Sequence, residues 1–97
     1  MARHIRWSPK AADQFEGICD YIAQDSPTYA RIFAKRVNAV IEDLPLFPQS
    51  GRIVPEYGDE DLREKILGNY RIVYRIKLEV IEVAAICHGS RLLPDLI

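Results

Sequence analysis

Five cations in the C-terminal part of the sequence, Arg63, Lys65, Arg71, Arg75 and Arg91, accompany one histidine, His88. Metal-free cleavage of RNA needs such a set: a base for the 2′-OH, cations for the charge that grows on the phosphorus, and an acid for the leaving 5′ oxygen. His88 is the side chain placed to move a proton in such a cluster. The same cations suit an acidic protein surface equally well, and a solvated cationic sheet face has the same pattern, so spacing alone does not choose among them. Other chemistries lose their usual support. There is no Ser-His-Asp spacing, no phosphate-cradling glycine loop and no HExxH motif. Cys19 and Cys87 are too distant in sequence for a zinc knuckle or a CxxC pair and read as small core hydrophobes. Neither a metal nor a cofactor is expected.

The elements that must position these residues follow from periodicity. In residues 70–78 the even positions are apolar and the odd ones basic apart from Val73, which predicts a strand with one buried and one cationic face. Residues 62–67 form the strand before it, across a Gly68-Asn69 turn, and residues 80–87 the strand after it, across Leu78-Glu79. That register pairs Ile76 with Ile81, Tyr74 with Val83 and Ile72 with Ala85, all facing inward, and sets Arg75 opposite Glu82. The outer face would then gather Arg71, Arg75, Glu82 and His88, with Arg63 and Lys65 beside them and Arg91 returning past Gly89.

Upstream, residues 4–7 read as a short strand that stops at Ser8-Pro9, an N-cap followed by a proline in the first helical position. Ala12, Phe15, Ile18, Cys19 and Ile22 make one apolar stripe. Ser26-Pro27 repeats the device, and Ala30, Phe33, Val37, Val40, Ile41 and Leu44 continue it until Pro45. The short connection predicts a helical hairpin. Residues 45–61 hold Pro45, Pro48, Pro55, Gly51 and Gly58, so neither helix nor strand is expected there, and Leu46, Phe47, Ile53, Val54 and Tyr57 are its expected anchors. The fold class is α+β, in the order β-α-α-β-β-β, a helical hairpin on a mostly antiparallel sheet.

With 97 residues the chain has one core and one domain. Its 48% hydrophobic and 28% charged composition is globular, without a membrane span or a leader-like N-terminus, so a cytoplasmic protein is expected. Thirteen basic against fourteen acidic residues argue against indiscriminate nucleic-acid coating, although the charge is blocky: an acidic patch at Glu56, Asp59, Glu60 and Asp61 precedes the basic strands. The apolar tail Leu92, Leu93, Leu96 and Ile97 predicts a surface that wants a partner.

The succession SPKAADQFEGICDYIAQDSP, FPQSGRIVPE, LREKILGNYRIVYRI and HGSRLLPDLI resembles the RelE/ParE superfamily, the toxin half of bacterial type II toxin-antitoxin pairs, over nearly the whole chain. The resemblance implies a small growth-inhibiting toxin held inactive by a cognate antitoxin protein in a hetero-oligomer. RelE-like members are ribosome-dependent mRNA endonucleases that use lysines, arginines and a C-terminal tyrosine; ParE-like members inhibit DNA gyrase and lack that set. By position, the basic pair falls on Arg63 and Lys65, the motif arginine is Arg71 and the arginine after the last strand is Arg91. The tyrosine has no match, while His88 keeps a nuclease reading open. The FPxxGRxVPE loop, the Ser-Pro-capped second helix and the near-neutral charge lean toward the ParE-like branch, with DNA gyrase rather than ribosome and mRNA as target. An antitoxin-binding module without toxicity is a third reading.

Overall fold

The computed structural model describes residues 3–90, so Arg91 and the apolar tail lie outside the described residues. The elements are β1 (His4–Trp7), α1 (Pro9–Asp25), α2 (Pro27–Glu42), β2 (Arg52–Ile53), β3 (Leu62–Leu67), β4 (Tyr70–Ile76) and β5 (Val80–His88). The α+β expectation holds: two helices pack on a five-stranded sheet of order β1-β5-β4-β3-β2, antiparallel except for the β1–β5 pair.

Both helices start where the sequence places them. The Ser8 hydroxyl accepts from Ala11 N–H at 3.0 Å and the Ser26 hydroxyl from Tyr29 N–H at 3.1 Å, with Pro9 and Pro27 filling first-turn positions whose N–H would have no helical partner. Ser8 also donates to the Ala84 carbonyl at 3.3 Å, which ties the cap to the sheet. On α1 the fully buried alanine is Ala11, not Ala12, which is exposed; Phe15, Ile18, Cys19 and Ile22 pack against the core as expected. Phe33, Val37 and Ile41 of α2 meet Ile72, Tyr74, Ile81, Val83 and Ile86 of the sheet, and Ala30 is buried with them on the same helix. α2 ends at Glu42, three residues before Pro45, and buried Leu44 closes the core just beyond it.

The sheet departs from the expected register at one point. Arg75↔Glu82, Ile76↔Ile81 and Tyr74↔Val83 pair as expected, but Val73 pairs with Ala85 and Ile72 with Ile86. Ala84 is the extra residue of a β-bulge, so Ala84 and Ala85 both oppose Val73 and every later side chain of β5 changes face. Ala85 and Cys87 thereby join a second apolar cluster with Val54, Leu62, Val73 and Ala84, on the face turned away from the helices.

The proline- and glycine-rich segment contains a strand where none was expected, because its prolines and glycines flank Arg52–Ile53 and leave that pair free to join β3. Of its expected anchors only Val54 is fully buried, whereas Leu46 and Phe47 are 69% and 62% exposed. Polar contacts hold it instead. Gly51 is obligatory there, since a Cβ would sit 2.6 Å from the Glu64 carbonyl oxygen and 2.7 Å from the Tyr74 hydroxyl.

Candidate functional site

Arg71 is held where the sheet and the loop after β2 meet. On β4 it lies diagonal to Glu64 of β3, within reach of a long side chain. Its Nε donates to Glu64 Oε1 at 2.5 Å, and Nη1 and Nη2 donate to the two oxygens of Glu56 at 2.8 and 2.9 Å. The second Glu64 oxygen accepts from Arg52 Nε at 2.5 Å. Among the described residues, two guanidinium groups and two carboxylates therefore form one network, in which the Glu64 side chain is wholly buried and that of Arg71 is 6% exposed. The hydrogen bonds it donates to Glu56 are the largest influence on Arg71 and, with those to Glu64, push its pKa above the ordinary arginine value against the opposing effect of burial. Fork-to-carboxylate geometry of this kind binds Arg71 to the fold rather than offering it to a phosphate.

The expected gathering of cations and His88 on one solvated outer face is corrected by this geometry. Arg71 and Val73 are buried, so that face is a second core. Arg63 and Lys65 pair with Tyr74 and Ile72, which puts them on the helix side of the sheet, because β3 runs antiparallel to β4 with Glu64 facing the other way. Arg63 reaches back to the loops, donating to the carbonyls of Glu60 at 2.8 Å and Gly51 at 3.0 Å. Lys65 is half-buried. Arg75 stays on the outer face opposite Glu82, whose carboxylate is approached by Arg6 at 3.3 Å and Lys77 at 3.4 Å.

His88 is exposed and, past the bulge, pairs with Tyr70 on the helix side, its ring edge-on to the tyrosine at 5.8 Å between centroids. Its Nδ1 accepts from Ser90 N–H at 3.3 Å and lies 2.9 Å from Ser90 Oγ. The bulge thus sets His88 and Arg71 on opposite faces, where they cannot act on one phosphate. Arg91 lies outside the described residues. Among the described residues no three His, Cys, Asp or Glu side chains are grouped to hold a metal ion, and no helix is long and apolar enough to cross a membrane.

Three participants escaped the sequence reading. Glu64 is the one acid in its strand and Glu56 one of several acids in a patch; the signal for Glu64 is its place opposite Val73, two residues along from Ile66, the partner of Arg71, and so diagonal to Arg71. Tyr74 accepts from Gly51 N–H at 2.9 Å and donates to the Pro48 carbonyl at 2.6 Å, and burial raises its phenol pKa. Cys19 and Cys87 are not joined in a disulfide, and Cys19 is half-buried with its pKa raised chiefly by burial and secondarily by Asp20.

The family described as the ParE toxin of the type II toxin-antitoxin system parDE matches residues 5–93. A Sinorhizobium fredii protein named "Putative toxin Y4kP" is 29% identical over 97 residues, covering 98% of this chain and 97% of its own. Among solved structures, a chain of the chromosomal ParDE toxin-antitoxin system from P. aeruginosa superposes with a TM-score of 0.75 at 20% identity, covering 92% of this chain and 98% of that one. A chain of the RelBE2 toxin-antitoxin complex from Mycobacterium tuberculosis has a TM-score of 0.63 at 18% identity, with 94% and 95% covered.

Proposed function

The chain belongs to the ParE toxin family of type II toxin-antitoxin systems, and from that premise we propose that it arrests growth by inhibiting DNA gyrase and is neutralised by a cognate antitoxin bound to its surface. The observation that supports gyrase inhibition over RNA cleavage is the separation of the chemical groups. His88 and Arg71 occupy opposite faces of the sheet, and the Arg71 guanidinium is held by Glu56 and Glu64. A nuclease of the metal-free kind needs proton transfer and charge stabilisation at one phosphate, and groups on opposite faces do not supply both. Inhibition by binding needs only a stable surface. Arg75, Lys65 and Arg91 are its proposed target contacts, with Arg63 and Arg71 holding the scaffold that presents them.

The antitoxin is supported by the toxin-antitoxin systems to which the fold is similar. Induction without antitoxin tests the whole reading: filamentation with a DNA damage response and intact mRNA is expected, and His88→Ala should stay toxic. Cleaved mRNA on ribosomes, with cleavage lost in His88→Ala, would overturn it.

A further inference from the structure

Leu46 and Phe47 are adjacent and both largely exposed, yet the segment that carries them is held at both ends. Their N–H groups donate to the Asp43 carbonyl, at 3.2 and 3.0 Å, which winds the chain past α2 into a tight turn, and buried Leu44 fixes that turn to the core. Beyond it the Tyr74 phenol donates to the Pro48 carbonyl at 2.6 Å, and Ser50 N–H donates back to the Phe47 carbonyl at 3.0 Å. A loose loop would fold two such side chains onto the sheet, because exposed apolar area is unfavourable. This backbone keeps them in water. A cavity of about 360 Å³ opens beside Phe47 along Pro48, Gln49 and Ser50, so the tip presents both a knob and a hollow.

The rim of this tip is acidic. Glu42 and Asp43 precede it, and Asp59, Glu60 and Asp61 flank its far end, where Arg63 donates to the carbonyls of both Glu60 and Gly51. All five acids are exposed, and among the described residues none joins an ion pair. That charge decides what can cover the tip. A second copy of the chain would bring the same acids to the same face, and like charges set against one another oppose the contact. A protein that handles DNA must carry basic surface to neutralise phosphates, and an apolar hollow within such a surface complements an apolar tip with an acidic rim.

We infer that Leu46 and Phe47 are the apolar anchors of a target-binding tip, which seats in an apolar pocket on a basic surface of the topoisomerase, with Glu42, Asp43 and Glu60 meeting Lys or Arg at its edge. Large apolar side chains ringed by polar groups carry most of the energy of protein contacts, and a tip already held in shape loses little freedom on binding. The inference rests on the gyrase reading above and adds to it a contact apart from the cations Arg75, Lys65 and Arg91.

The test uses the full-length chain, purified gyrase and the antitoxin encoded beside the toxin. Leu46→Ser with Phe47→Ser should raise the toxin concentration that halves DNA supercoiling by about tenfold or more, with the melting curve unchanged and antitoxin binding intact. Glu42→Lys with Asp43→Lys should weaken inhibition by a similar factor, and more at low salt than at high. Cations suit the C-terminal end of a helix, so misfolding would not account for that loss. Should the serine pair melt lower than the parent, the charge-reversed variant decides alone. If the parent toxin leaves gyrase untouched, the gyrase reading and this inference fall together. If the parent inhibits and either variant, folded, inhibits as well as it does, the inference alone falls. Loss of antitoxin binding with inhibition kept would give the tip to the antitoxin and would also overturn it.

Discussion

The two faces of the sheet are stabilised by different physics. On the helix side, Phe33, Val37 and Ile41 close over Ile72, Ile81 and Val83, and the contact is apolar throughout. On the other side the apolar cluster is small, built on Val54, Leu62, Val73 and two alanines, and beside it Arg71 is clamped by Glu56 and Glu64. The first face tolerates changes of shape within its volume, since apolar contact is non-directional. The second depends on each charged partner, because a buried charge that loses its counter-ion has no water to turn to. The face that the sequence presents as a cationic surface is thus the one most sensitive to loss of a single group.

The largest expected effect breaks the clamp. Arg71→Met should destabilise the chain by about 3–5 kcal/mol in denaturant melts, because it leaves buried carboxylate without its main partner. Adding Glu64→Leu should recover a large part of that loss, since removing the buried charges together avoids the uncompensated one. A loss below about 1 kcal/mol for Arg71→Met, where a small surface effect would fall, would erase the contrast between the faces.

Tyr74 joins the two sides, springing from the helix-side core and bonding the loop through Gly51 and Pro48. Tyr74→Phe keeps the ring but leaves the Gly51 N–H without its acceptor, for an expected loss of about 1–3 kcal/mol. Because burial raises the phenol pKa in the folded chain, the hydroxyl contributes stability that is present below the unfolded value near 10 and is lost as pH rises through the higher folded one. Melts across that alkaline range should show a slope that is shallower in Tyr74→Phe. Equal slopes would mean that the hydroxyl is not held as described.

The smallest effect lies at the rim. Glu82 is shared by Arg6 and Lys77, whose side chains are 55% and 41% exposed. Glu82→Gln should cost about 0.2–1 kcal/mol and less in high salt. A loss as large as that of Arg71→Met would show that exposed and buried ion pairs are not distinguished here.

Most of the architecture was legible because it is written in local signals. Ser8-Pro9 and Ser26-Pro27 announce helix starts through capping chemistry that needs no tertiary context, and the alternation of residues 70–76 fixes a strand in the same way. Two things were not local. The bulge at Ala84 is an insertion relative to the partner strand, invisible in β5 alone because small alanines fit either face. The second core was hidden because its charged members looked like surface: an arginine in a period-two pattern reads as solvated until a carboxylate from a distant loop, here Glu56, arrives to cover it. The candidate site suffered most, since both errors concern which face a side chain occupies, and His88, Arg63, Lys65 and Arg71 were assigned by face.

The pairing of β1 with β5 also governs when the toxin comes into being. The first strand of the chain finds its place only against the last one, and β5 sits between β1 and β4 in the sheet. A nascent chain lacking residues 80–88 can form the local α1–α2 hairpin but has no surface on which to close it, because α1 meets the sheet on β5. At about 5–20 residues per second, synthesis delivers that strand seconds after β1. A chain cut short within β5 is thereby denied its native sheet, and completion of that strand acts as the arming step.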